Sequence, residues 1–294
     1  MNKYKFPILA KPSGITLYTH RQNVISEGAL LVNNLPITVK KYHLLIKKDF
    51  SRRVELVCKY HDDGKEISKD WQTACQNDYE EYLNWSSRNK GKSYKEYLSN
   101  NSIKHIRKVS IRHEFYSLLK NKTLPIALQA AIAAHHGKLG ESFKDRWLRE
   151  GFKDYWVKFK KESYLNRTLE QTTKVQFEFS GIRGILRLAD HRASAKEEGD
   201  FVPKISEFHY KFPHSEKRGV QKIIEKYWEE DLLLVRAPTG SGKTDASLLW
   251  AKMQIEHNRA ERLIIAMPTR FTSNALAVDA AENLSDTGLY HSSA

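Results

Sequence analysis

The 294-residue chain has only two cysteines, Cys58 and Cys75, and no CxxC spacing. That scarcity excludes a disulfide framework and a thiolate zinc site, so any metal centre must be built from imidazole and carboxylate. Long apolar runs are missing as well. None approaches the roughly 18 residues of a membrane span. The start, MNKYKFPILAKPSG, lacks the continuous apolar core of a secretory signal. The expectation is a cytoplasmic protein with no membrane partner. Acidic residues are in short supply, 35 Asp and Glu against 49 Lys and Arg, for a formal charge of +14. This excess suits a polyanion, because each cation that meets a phosphate releases condensed counterions. The basic residues are spread through an aromatic-rich chain and not gathered beside an apolar anchor, which favours nucleic acid over an acidic membrane. Solubility through net charge alone is the plainer alternative.

What is present is enough apolar material, 40% of residues, for the cores of about two domains. Residues 1 to about 195 carry mainly helical patterns. ALQAAIAAHHG, after Pro125, is apolar nearly all round and so reads as buried, with Gly137 ending the helix just after His135 and His136. In GIRGILRLADHRAS, from Gly181, one apolar stripe is formed by Ile182, Ile185, Leu186, Ala189 and Ala193, with Asp190 at its edge. Residues 66–108 are polar and lysine-rich and read as a helical excursion or a mobile loop over a site. Charge, glycine and proline in AKEEGDFVPK, 195–204, mark a domain boundary, giving domains of 1–200 and 205–294. Beyond it the period changes. LLLVRAPTGSGKT reads as a buried strand, a glycine-rich loop and a helix start, and RLIIAMPT as a second, parallel strand.

APTGSGKT, Ala237 to Thr244, fits the phosphate-binding loop with alanine in place of the first glycine. Backbone N–H groups of Gly240, Ser241 and Gly242 can converge on phosphate, Lys243 can reach the β and γ phosphates of ATP, and Thr244 can hold Mg²⁺. Gln221 in RGVQKII, MPTRFTSNA (Met267 to Ala275) and LYHSS (Leu289 to Ser293) follow the order of the adenine-reading and first nucleic-acid-contacting motifs of superfamily-two helicases, which the segment resembles. No DExH or DEAD box follows, so ATP turnover by these residues alone is not expected.

The N-terminal part holds a set of histidines. CKYHDDGK (58–65) ends an apolar run with His61, Asp62, Asp63, a glycine and Lys65. A metal ion would offset the desolvation of such groups, and a surface turn is the bland reading. His20 has Leu17 and Val24 on its face, the pattern of a core imidazole with one satisfied hydrogen bond as much as of a ligand. His113 is equally ambiguous, though Glu114 can orient a neighbouring ligand. His135 and His136 at a helix C-terminus favour a cation, since two buried imidazoles need a partner and the helix dipole is negative there. Asp190 can instead pair with Arg187 on a solvated face.

The order His20, His61-Asp62-x-Gly-Lys65, His113-Glu114, His135-His136 and Asp190, followed by the glycine-rich loop, resembles the signature helicase-nuclease of type I CRISPR systems. In that family an N-terminal HD nuclease is fused to a helicase. The resemblance implies a mainly α HD-domain helical bundle followed by a partial α/β RecA-like P-loop domain. It implies that His20, His61, Asp62 and Asp190 hold one metal and that Asp62, His113, His135 and His136 hold a second, with Asp62 bridging. Nitrogen-rich ligation suits Mn²⁺, Fe²⁺, Co²⁺ or Ni²⁺ better than Mg²⁺. The implied activity is metal-dependent cleavage of single-stranded DNA, with Asp62 and Lys65 catalytic, recruited by a Cascade-type guide-RNA effector complex. His191 should face away. Two other functions fit the same residues: an HD phosphohydrolase of nucleotides or cyclic nucleotides, and a catalytically dead DNA- or effector-binding module.

Overall fold

A computed structural model describes residues 4–109, 111–137, 139, 143–149, 151–164, 168–205 and 208–284. The chain divides into two compact units, Met1–Val202 and Pro203–Ala294. The first begins with α1 (Leu17–Asn33), α2 (Pro36–Ile46), α3 (Phe50–Tyr60), α4 (Asp63–Ile67) and α5 (Lys69–Arg88). It continues through α6 (Tyr94–Asn100), α7 (His105–Lys108), α8 (His113–Lys120) and α9 (Ile126–Ala133). It closes with α10 (Lys144–Arg149), α11 (Lys153–Tyr164) and α12 (Leu169–Glu197).

Local chemistry sets the main boundaries. Thr16, Asp49, Ser68 and Ser93 each accept a backbone N–H at a helix start, and Thr168 and Gln171 close a capping box at the head of α12. The stripe expected on α12 is buried as a unit: Ile182, Ile185, Leu186, Ala189 and Ala193, together with Asp190. α12 packs on α1, α3 and α9, while α4 packs on α8 and α8 on α9. Gly28 permits the close approach of α1 to its neighbours, since a Cβ there would meet the Cys58 sulfur at 2.8 Å and Val54 at 3.4 Å. α9 is buried from Leu128 to Ala133, as its apolar sequence requires.

α9 ends sooner than expected. It stops at Ala133, and His135 and His136 lie in the bend beyond it, ahead of Gly137. The Ile132 carbonyl accepts both the His135 N–H and the His135 Nδ1, so the imidazole competes for the acceptor that would continue the helix. Residues 66–108 form a helical excursion, α5 to α7, pinned where Asp78 accepts the N–H groups of Lys104, His105 and Ile106.

The second unit contains α13 (Gly219–Lys226), α14 (Lys243–Glu256) and α15 (Arg270–Asn283). The expectation of a partial α/β RecA-like domain is corrected here. Neither 232–237 nor 262–269 forms a strand, and among the described residues the only β pairing is the Leu9–Thr16 bridge in the first unit. A strand exists through the hydrogen bonds it shares with a neighbour, and these two segments share none. Several of their apolar side chains lie open, Leu234 98% exposed and Ile264 88%, while Leu263 packs on Tyr210, Leu248 and Leu249. Leu289 to Ser293 lie outside the described residues. Among the described residues no helix is long and apolar enough to cross a membrane.

Candidate metal centre and phosphate loop

The histidine and aspartate residues gather where helix ends meet. His20 comes from α1, His61 caps the C-terminus of α3, Asp62 precedes α4 and Lys65 lies on it. His113 opens α8, His135 and His136 follow α9, and Asp190 comes from α12. All seven predicted ligands fall in one cluster. Ring nitrogens of His113, His135 and His136 lie within 4.8 Å of one another, as do donor atoms of His20, His61 and Asp62, and of His61, His135 and Asp190.

Asp62 stands between the two halves. Its Oδ1 is 3.2 Å from His113 Nε2, and its Oδ2 is 3.4 Å from His20 Nε2 and 3.5 Å from His61 Nε2. Asp190 lies 3.2 Å from His20 Nε2, 3.9 Å from His61 Nε2 and 3.9 Å from His136 Nε2. Arg187 is therefore not its partner at the centre. Lys65 lays its ammonium on Asp62 Oδ2 at 2.5 Å, over the Trp71 ring at 5.4 Å.

Whether these residues fit a metal can be tested on their hydrogen bonds. Four buried atoms aimed into the cluster make no aligned hydrogen bond: His61 Nε2, His135 Nε2, and Asp62 Oδ1 and His113 Nε2, which face each other at 3.2 Å. Buried polar atoms without an aligned hydrogen bond are costly, and four in one place are what a cation would satisfy. The opposite ring nitrogens are held from outside, His61 Nδ1 on the Cys58 carbonyl at 2.8 Å and His135 Nδ1 on that of Ile132 at 2.6 Å.

Except at His20, which is raised against its own burial by hydrogen bonds to Asp190 and Glu197, the protonation states suit ligation as well. Burial, reinforced by neighbouring imidazoles, pushes His135 down to about 3 and lowers His61 and, more exposed, His136. Burial opposes ionisation of Asp62, but His61, Lys65 and His113 hold its carboxyl well below the usual carboxylate range. Asp190 is lowered against its own burial by the hydrogen bond to His20 and the nearby His61. Neutral imidazoles and ionised carboxylates are the forms in which these groups bind metals.

Four residues escaped the sequence reading. Glu197 on α12 binds His20 Nδ1, and Asn23 and Lys11 hold Glu197 in turn. Glu27 is buried against Arg192 and Lys196, tying α1 to α12. The one available signal for Glu197 was its place two turns beyond Asp190 on the same helix face. Asp63, beside the ligands, is buried and pairs with Arg21 and Asn121, outside the cluster. Glu114 sits 3.8 Å from His113 Nδ1 and 3.4 Å from Arg112, and His191 is exposed. Both cysteines are buried thiols, Cys58 raised and Cys75 pushed up to about 12 by burial.

In the second unit, Gly240 (φ 78°) and Gly242 (φ 84°) take left-handed conformations that bend 237–242 into a loop before α14. The Lys243 ammonium donates to the Ala237 and Pro238 carbonyls at 2.9 and 2.8 Å. Ser241 donates to the Pro238 carbonyl, and Thr244 is exposed in the first turn of α14. Gln221 is buried and donates to the Gly242 carbonyl at 3.2 Å, so the Gln221 side chain is bonded to the loop itself.

No family model and no solved structure matches the chain. Among curated proteins, a stretch of 44 residues is 43% identical to the putative CRISPR-associated nuclease/helicase Cas3 of Methanocaldococcus jannaschii, covering 15% of this chain and 6% of that protein. A stretch of 45 residues is 44% identical to the CRISPR-associated endonuclease/helicase Cas3 of Escherichia coli K12, covering 15% of this chain and 5% of that one. The aligned part is thus far below two thirds of either relative, and over that stretch the chain is similar to CRISPR-associated nuclease/helicases.

Proposed function

We propose that the first unit is an HD-type, metal-dependent single-strand DNA nuclease acting in CRISPR interference in the cytoplasm, brought to its DNA by a Cascade-type guide-RNA effector complex. The observation that carries this reading is the convergence of four buried donor atoms that make no aligned hydrogen bond, His61 Nε2, Asp62 Oδ1, His113 Nε2 and His135 Nε2. His20, His61, Asp62 and Asp190 would hold one transition metal (Mn²⁺, Fe²⁺, Co²⁺ or Ni²⁺), and Asp62, His113, His135 and His136 a second. Bound there, the metals would supply Lewis-acid activation of water and of the scissile phosphodiester. Asp62, whose two oxygens face different imidazoles, would serve both positions. Lys65, whose ammonium rests on Asp62, is assigned to steady a phosphate oxygen. The chain's +14 charge draws the DNA backbone toward it.

In the second unit, Gly240, Ser241, Gly242, Lys243 and Thr244 are assigned to the phosphates of ATP and its Mg²⁺, and Gln221 to the adenine. Gln221 lies beside the loop through its bond to the Gly242 carbonyl, and that bond would have to open for the side chain to meet a base.

The test is elemental analysis of the full chain after reconstitution with Mn²⁺ or Ni²⁺, followed by incubation with circular single-stranded DNA and with a panel of nucleotides and cyclic nucleotides. One to two ions per chain and nicked circles are expected. Phosphate release from nucleotides without DNA nicking would make the chain an HD phosphohydrolase instead. DNA binding with no metal retained would make it a binding module.

A further inference from the structure

We propose that Glu197 is the positioning residue of this centre: it fixes His20 with Nε2 turned inward and so makes the metal position bounded by His20, His61, Asp62 and Asp190 the tighter of the two. The inference rests on the metal-centre reading above.

His20 is 1% exposed, and its two ring nitrogens meet different surroundings. Nδ1 lies 3.0 and 3.1 Å from the two Glu197 oxygens. Nε2 faces Asp190 and Asp62 at 3.2 and 3.4 Å. An ionised carboxylate only accepts, so Glu197 holds the Nδ1 proton; Nε2 in turn faces Asp190 and Asp62, and a metal bound between them would displace the proton on that side alone. Glu197 is itself immobilised. Asn23, one turn along α1 from His20, donates to its Oε1 at 2.8 Å, and Lys11 reaches its Oε2 at 3.1 Å. Because Asp190 and Glu197 are two turns apart on α12, one rigid helix supplies both a ligand and the brace of a second ligand.

The other imidazoles have no such support. His61 and His135 donate Nδ1 to neutral carbonyls. His113 Nδ1 stands 3.8 Å from Glu114, beyond hydrogen-bond range, and the His136 side chain is 35% exposed. A carboxylate behind a ligating imidazole orients it and raises its basicity, and losing such a partner typically costs 10- to 100-fold in metal affinity. The charged brace lies only on the His20 side, so that position fills first.

The full chain, stripped of metal with a chelator, is titrated calorimetrically with Mn²⁺ or Ni²⁺. Nitrogen-15 imidazole spectra of the chain loaded with diamagnetic Zn²⁺ report which His20 nitrogen keeps its proton. Two unequal steps are expected, and the Nδ1-protonated tautomer. Glu197→Ala should weaken the tight step by about 10- to 100-fold, leave the weaker step in place and lose the tautomer. Glu197→Gln keeps an acceptor without the charge and should fall between; it carries the comparison if the alanine variant does not fold. A tight step unchanged in both variants, or a loss confined to the weak step, would overturn the proposal while leaving the metal centre standing. Wild-type chain that binds neither metal would remove the nuclease reading itself.

Discussion

At the scale of single residues, the centre depends on Asp62, whose two buried oxygens face opposite groups of imidazoles. Asp62→Ala should therefore cost more than the 10- to 100-fold in metal affinity typical of an outer partner, and single-strand DNA cleavage should vanish with the metal. Metal content per chain and nicking of circular DNA check this. Lys65 gives a different prediction. Its ammonium compensates Asp62 in the metal-free centre, and Lys65→Met leaves a buried carboxylate without its cation. Breaking one side of a buried pair costs about 3–5 kcal/mol. The loss should appear in urea midpoints of the metal-free chain and shrink when Mn²⁺ is added, because the metal then carries the compensating charge. A loss that Mn²⁺ does not reduce would show that Lys65 acts through packing.

At the scale of elements, two helix contacts hold the ligands in register. Gly64 brings α4 against α8: a Cβ there would stand 1.9 Å from the His113 carbonyl oxygen and 2.8 Å from the Ser117 nitrogen. Both are backbone atoms and cannot swing aside. The Ser117 hydroxyl accepts from the Gly64 N–H and donates to the His61 carbonyl, locking the same junction. Gly64→Ala should cost about 3 kcal/mol in denaturant unfolding and displace His113 from the centre. The second contact is Glu27 of α1 against Arg192 and Lys196 of α12. Burial alone would raise the Glu27 carboxyl, but the hydrogen bonds from these two cations hold it below its ordinary 4.5. A depressed carboxyl stabilises the fold above its unfolded value and loses that contribution as pH falls. Melting temperature should therefore decline as pH drops below about 4.5, and Glu27→Gln should flatten that decline at a cost of about 1–3 kcal/mol at neutral pH.

For the whole molecule, charge and exposed apolar surface give the predictions. With a net charge of +14, affinity for single-stranded DNA should fall linearly with log salt, with a slope of about −0.7 for each phosphate neutralised. Filter binding across 50 to 200 mM salt measures it, and a flat line would mean that the basic residues do not meet the backbone. In the second unit, Leu234 and Ile264 stand almost fully open on segments without strand partners. Such residues promote association. Leu234→Lys with Ile264→Lys should reduce self-association in light scattering and leave the melting of the first unit unchanged.

The sequence by itself determined which donors exist and roughly where they lie. His61-Asp62, His135-His136 and Asp190 stand out because each ends or edges an apolar helical pattern, a local property, whereas His20 and His113 are ambiguous until the order of the whole set resembles a known family. It also determined the glycine-rich turn before α14, since left-handed backbone at 240 and 242 needs glycine. The strands read into LLLV and LIIAM fail for the complementary reason: a strand is a relation between segments, and no apolar run specifies its neighbour. Only the tertiary structure decided that Glu197 braces His20 across 177 positions of sequence, that Glu27 meets Arg192 and Lys196, and that Asp62 faces both His20 and His113. These follow from how α1, α4, α8 and α12 pack, and packing brings together groups whose separation along the chain carries no periodic signal.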